Sequence, residues 1–205
     1  MTTIFTIGHS THALDRFLQL LARHSISAVA DVRSQPSSRL HPQFDREPLK
    51  RELRAAGIDY VFLGKELGGR PTDNSCYDGT GQVDYDAVAS TANFGAGMDR
   101  LWAGAERYPV ALLCSERDPL TCHRMLLIAR RWSERGGDAL HILADGALED
   151  EKSAEARLMR EVGLSGNDMF RSVAETRDEA FRRRAKEVAY RRNQKVAAGA
   201  RAGRR

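Results

Sequence analysis

The stretch Thr3–Arg33, TIFTIGHSTHALDRFLQLLARHSISAVADVR, carries the decision about the fold. Thr3–Ile7 is a short apolar run that ends at Gly8 and reads as a strand. His12–His24 places Leu14, Phe17, Leu18 and Leu21 on one face at helical spacing, with Ser10 or Thr11 as its cap. Ile26–Val32 returns to a short Ala/Val run of the kind buried on both faces of a sheet. A strand, a helix and a second buried strand within 31 residues form a crossover unit, which demands parallel pairing.

The same alternation continues outward. A helix capped by Asp45, with Pro48 in its first turn and Gly57 at its end, leads to a strand over Asp59–Leu63. A glycine-rich loop spans Gly64–Gln82, long enough to suggest function or mobility. A long helix runs from Asp84 to about Arg107, with a break expected near Gly95–Gly97. Val110–Cys114 is a fourth strand, Leu120–Arg135 a helix closed by Gly136-Gly137, and Leu140–Leu143 a fifth strand. A last helix covers about Glu149–Val162. The expected class is α/β: a largely parallel β-sheet with flanking helices, in a Rossmann-like or partial-barrel arrangement. Strand order and oligomeric state stay open at this level.

Charge divides the chain. Residues 1–150 hold 17 Lys+Arg against 20 Asp+Glu, whereas residues 171–205 hold 12 against 4, a surplus that outweighs the acidic remainder and makes the net +4. A single domain over residues 1–165 followed by a basic, helical or disordered extension over 166–205 fits this shift. The extension is a solubilising tail or a nucleic-acid contact through Arg182, Arg183, Arg184, Arg191 and Arg192. No apolar run approaches the roughly 20 residues of a membrane helix, so no membrane is expected. The N-terminus lacks a basic leader followed by an apolar stretch. Three cysteines are too few and too irregular for a disulfide framework, and a cytoplasmic, reducing location is expected.

In parallel sheets ligands gather beyond the carboxyl ends of the strands. Four post-strand loops should meet there: Gly8-His9-Ser10, Arg33 through Arg39, Leu63 through Arg70, and Cys114-Ser115-Glu116 with Cys122-His123-Arg124. Cys122 lies in or near the first turn of a helix beside His123 and Arg124, a setting that favours a thiolate. His9 and His123 are acid/base candidates, with Glu116 beside them. Arg33, Arg39, Arg70 and Arg124, with Ser10, could bind a phosphate or carboxylate. Each has a plainer reading: a core cysteine, a loop histidine, an arginine paired with Asp31 or Glu116. Cys114 reads as core, and Cys76 as exposed and incidental. A cysteine-phosphatase anion loop is discounted, because Glu116 and Asp118 would oppose a phosphate.

No metal or other cofactor is expected. His9, Cys122 and His123 would make an awkward ligand set with no fourth member.

At these residues the chain resembles the domain-of-unknown-function family 488. The shared features are Thr6-Ile7-Gly8-His9-Ser10; Asp31-Val32-Arg33 with Pro36, Ser38 and Arg39; and Tyr60 with Leu63-Gly64. Glu66-Leu67-Gly68-Gly69, Leu113-Cys114-Ser115-Glu116, Cys122-His123-Arg124 and His141-Ile142 complete the set, over about Thr3 to Ala144. The resemblance implies an intracellular prokaryotic-type α/β domain and brings no established reaction with it. The residues themselves point to an enzyme, a hydrolase or transferase, acting on an anionic small molecule or nucleotide. A non-catalytic nucleic-acid binder and a small-ligand sensor are the alternatives.

Overall fold

The computed structural model describes residues 1–164 and 171–192. Six strands form one sheet: β1 (Thr3–Gly8), β2 (Ala28–Asp31), β3 (Asp59–Phe62), β4 (Val110–Cys114), β5 (Asp138–Ile142) and β6 (Leu148–Asp150), in the order β3-β2-β4-β1-β5-β6. All pairs are parallel except β5–β6, an antiparallel edge that the apolar patterning does not announce. The sheet is open, so the Rossmann-like alternative holds and the partial barrel does not. Gly8 pairs with Cys114 and Asp31 with Leu113, which brings the carboxyl ends of β1, β2 and β4 level.

Period-two alternation sorts the strand residues onto two faces. Ile7, Val29, Ala111 and Leu113 pack on one side against α1 (Leu14–Arg23), α2 (Arg46–Ala55) and Phe44. Ala28, Ala30, Val110, Leu112 and Cys114 face the other layer. That layer comprises α3 (Tyr85–Ala89), α4 (Ala92–Ala105), a π-helical turn at Arg124–Ala129 running into α5 (Arg130–Glu134), α6 (Glu151–Glu161) and α7 (Val173–Val188). Connections leaving β2 and β4 go to opposite faces, which opens a crevice between their carboxyl ends.

Local chemistry explains where the elements depart from expectation. The long helix breaks at Ser90-Thr91 rather than at Gly95–Gly97, because the Thr91 side chain caps α4 by accepting from the Phe94 N–H. Gly97 instead lets α4 lie against Glu66 and Leu67, where a Cβ would stand 2.6 Å from Glu66 Cβ. Ala13, not Ser10 or Thr11, occupies the cap of α1, and no side chain bonds there. The Asp45 carboxylate turns away from α2 to accept from the Ser38 N–H at 2.7 Å.

The Gly64–Gln82 loop is structured, with a 3-10 turn at Asn74–Cys76 and a bridge between Tyr77 and Val83. Cys76 is buried in it, which corrects the expectation of an exposed thiol.

The C-terminal segment docks on this body. Ala180 and Phe181 of α7 enter the core. The Val83 N–H donates to the Tyr190 carbonyl, and the Arg192 N–H to that of Gly81. The expected domain boundary near 165–166 and the end of the basic extension, residues 193–205, lie outside the described residues. Among the described residues, no helix is long and apolar enough to cross a membrane.

Candidate functional site

The crevice holds a cavity of about 330 Å³. Its lining comes from three of the four expected loops: Arg33 and Ser34 after β2, Gly69 and Arg70 after β3, and Cys114, Glu116, Cys122 and His123 after β4. Tyr85 of α3 and Val188 and Tyr190 from the C-terminal segment close the remaining wall.

The floor is a tight polar cluster. The Cys114 thiol donates to Glu116 Oε2 at 2.8 Å, and the Cys122 thiol donates to the same oxygen at 3.1 Å. His123 Nδ1 stands 3.6 Å from the sulfur of Cys114 and 3.8 Å from that of Cys122. His123 Nε2 lies 3.0 Å from the Val32 carbonyl oxygen. A carbonyl can only accept, so Nε2 carries a hydrogen, and Nδ1 faces both sulfurs. Cys114, Cys122 and His123 are all buried.

Local folding explains this arrangement. Asp118 accepts from the Leu120 N–H and opens a 3-10 turn over Pro119–Thr121. Cys122 follows in extended conformation, and its carbonyl receives the N–H groups of Met125 and Leu126 as the π-helical turn begins. Such turns occur often at functional sites. Cys122 therefore stands just before the helical run rather than inside it, and its sulfur takes the Arg124 N–H at 3.5 Å.

Burial opposes ionisation of Cys122. The hydrogen bond with Cys114 and the charges of Arg124 and His123 nevertheless hold its thiol well below the usual range. Burial, then the neighbouring Cys122 sulfur and the Glu116 carboxylate, push Cys114 the opposite way. Cys122 is thus the more acidic thiol. Burial and then the Cys122 charge push Glu116 up, while His123, despite burial, is raised by Cys122 and Glu116.

The arginines divide by role. Arg33 lines the cavity, but its Nε and Nη2 hold the fully buried Asp31 at 2.9 and 2.6 Å, and Tyr60 donates to the same carboxylate at 2.8 Å. Arg124 is fully buried beneath the floor, donating to the carbonyls of Glu116 at 2.6 Å and Arg117 at 3.0 Å. Arg70 is exposed on the cavity wall with its guanidinium over the Tyr190 ring, and no carboxylate pairs with it among the described residues. Arg39 is exposed and outside the lining.

His9 and Ser10 do not enter the cavity. His9 stacks on Phe44 with centroids 4.5 Å apart and bonds the Ser10 carbonyl through Nδ1, on the α1–α2 side of the sheet. The backbone of this loop braces the site instead: the His9 N–H donates to the Cys114 carbonyl and the Ser10 N–H to that of Ser115. Burial, then the charge of Arg33, lowers the His9 pKa to about 4. A histidine held neutral in the native state loses stability as acid charges the unfolded chain. Stability should therefore fall by about 3 kcal/mol between pH 6.5 and 4. Urea titrations of wild type and His9→Phe across that window test this, and equal slopes would refute it.

Residue-level reading missed three contributors. Cys114 passed for core because it ends an apolar strand, although it stands in the Leu113-Cys114-Ser115-Glu116 motif. Tyr85 and Tyr190 gave no local signal. The five arginines of the extension read as possible nucleic-acid contacts all have internal partners. Arg182 and Arg183 pair with Glu179, Arg184 with Glu161 and Glu187, and Arg191 with Gln82, while Arg192 covers the Tyr77 ring. The metal question also changes: Cys114, not His9, joins Cys122 and His123, with their ligand atoms all within 4.8 Å of one another.

Fold and site together define an α/β protein with a buried thiol–imidazole–carboxyl cluster at the carboxyl ends of its parallel strands. The profile described as domain of unknown function DUF488 matches residues 13–130, and the chain belongs to that family. No curated protein matches it. Among solved structures it is similar to a DUF442 protein of Shewanella putrefaciens CN-32, provisionally named a phosphatase. Identity is 12%, covering 90% of this chain and 87% of the other, and the TM-score of 0.37 is too low to carry an argument.

Proposed function

We propose that the chain is an enzyme, a hydrolase or transferase, that binds a small anionic, phosphate-bearing molecule in the cavity and reacts with it at the floor. One observation carries this reading: Arg70, which no carboxylate pairs among the described residues, lines the same cavity as a buried cluster that contains the more acidic of two thiols. Arg70 anchors the anion by charge-assisted hydrogen bonds. Cys122 supplies the electron-rich sulfur, as a nucleophile or by polarising the substrate, and His123 and Glu116 exchange protons around it. The volume lies at the lower end for small-molecule pockets and suits a mononucleotide or smaller phosphoester.

A panel of phosphoesters and nucleotides tests the proposal. Cys122→Ala should abolish turnover. Arg70→Ala should weaken kcat/KM by about 10–100-fold, chiefly through KM, as expected for loss of a hydrogen bond to a charged group. Turnover unaffected by both changes would refute the assignment.

A further inference from the structure

Cys122 can serve the proposed reaction in two ways, by direct attack or as part of a polarising centre, and the geometry points to the second. We infer that Cys114, Cys122 and His123 bind a borderline-soft divalent transition ion of the zinc class, with the fourth position open to the cavity beside Glu116. The inference rests on the proposed function only for the location of the reacting centre.

Three observations carry it. First, the spacing matches. Zn–S bonds of about 2.3 Å and Zn–N bonds of about 2.0–2.1 Å at a tetrahedral angle separate sulfur from nitrogen by about 3.6 Å. The two observed separations are 3.6 and 3.8 Å.

Second, the imidazole is set for ligation. The Val32 carbonyl takes the Nε2 hydrogen and leaves Nδ1 facing both sulfurs, where an incoming ion displaces any proton it holds. A backbone carbonyl on the distal nitrogen is the usual support behind a metal-bound histidine. Gly69 packs against this ring, where a Cβ would stand 3.0 Å from His123 Cγ, so the ring has little room to rotate.

Third, the charges close. Arg124 is wholly buried: its guanidinium donates only to carbonyl oxygens, its backbone N–H donates to the Cys122 sulfur, and no carboxylate pairs with it among the described residues. A buried cation needs a compensating anion nearby. A dication with two thiolates, the Glu116 carboxylate and a neutral imidazole carries one negative charge, which Arg124 balances.

Three protein ligands with an open position mark catalytic rather than structural zinc sites. Glu116 Oε2 is closer to both sulfurs than a tetrahedral edge allows, as suits shared thiol protons. When an ion displaces those protons the carboxyl is released to act as acid or base at the open position.

Titration of chelator-treated full-length protein with Co²⁺ tests the site. The expected result is one ion per chain, with thiolate-to-metal charge-transfer absorption and intense tetrahedral d–d bands, both erased by Zn²⁺. Cys76→Ala should leave these spectra intact, and Cys114→Ala and Cys122→Ala should each remove the charge-transfer intensity or halve it. His123→Ala should weaken Co²⁺ by more than the 10–100-fold typical of supporting residues. Because a variant may misfold, mass spectrometry on wild type provides a second measurement: Zn²⁺ should protect Cys114 and Cys122 from iodoacetamide.

A wild-type chain that shows no thiolate band and no protection overturns the site. So does a band that survives loss of both cysteines. The two proposals fail separately. Turnover by metal-stripped protein that takes up no ion sinks the metal site alone, and stoichiometric ion binding with no turnover on the panel sinks the enzyme reading alone.

Discussion

Gly8→Ala should cost the protein about 4 kcal/mol, measured as a drop in the urea midpoint at unchanged slope. A Cβ at position 8 would stand 1.8 Å from the Glu116 carbonyl oxygen and 2.8 Å from its carbon, both backbone atoms that cannot swing aside. The obstacle is held from behind, because Arg124 donates to the same oxygen at 2.6 Å. The strand cannot retreat either, since the His9 and Ser10 N–H groups bind the carbonyls of Cys114 and Ser115 at 2.9 and 3.0 Å. Overpacking of this kind is relieved only by breaking some of those bonds. The same displacement should move the Cys114–Glu116 segment and raise the reactivity of its thiols. A loss under about 1 kcal/mol would mean that the two segments are looser than the hydrogen bonds imply.

Asp31→Ala ranks beside it, with an expected loss of about 3–5 kcal/mol. Asp31 is wholly buried and is bound by the Arg33 backbone N–H and guanidinium and by Tyr60. Removing it leaves a buried guanidinium and a phenol without their acceptor, a far larger penalty than losing an exposed ion pair. Tyr60→Phe should cost only about 1 kcal/mol, because Arg33 still satisfies the carboxylate. The double variant Asp31→Leu/Arg33→Met should regain most of the loss, since neither charge is then stranded. If Asp31→Ala falls within about 1 kcal/mol of wild type, the pair is not buried as described.

Much of the molecule was legible from pattern alone. Val110–Cys114 spans five buried residues, and such a run between helical stretches has few alternatives. The first five strands were therefore found. The edge strand Leu148–Asp150 was not: two of its residues are exposed, and it reads as the polar approach to a helix. The helix after Cys114 was placed correctly in outline. Its opening as a 3-10 turn, an extended Cys122 and a π-helical turn depends on contacts that no propensity encodes.

The candidate site shows the same division. Cys122, His123 and Glu116 come together, as the post-strand rule implies. Arg33, read as a free anion ligand or as a partner of Asp31, is the partner of Asp31. His9 was placed by its loop but not by its face. Gly8 pairs with Cys114, so the alternation along β1 sends the side chain at position 9 to the layer opposite Cys114. Strand register is a long-range property, and one residue of slip would have reversed this outcome.

By itself, then, the order of residues determined the α/β class, the parallel strands and the loops at which polar groups collect. Those properties follow from local periodicity and from the chain-length demands of a crossover. Only the folded chain decided that a second sulfur, Cys114, completes the cluster, that Tyr190 returns from far along the chain to wall the cavity, and that His9 stays outside. Each of these depends on which face of the sheet a side chain leaves from and on what packs over it. Pairing between distant strands settles both.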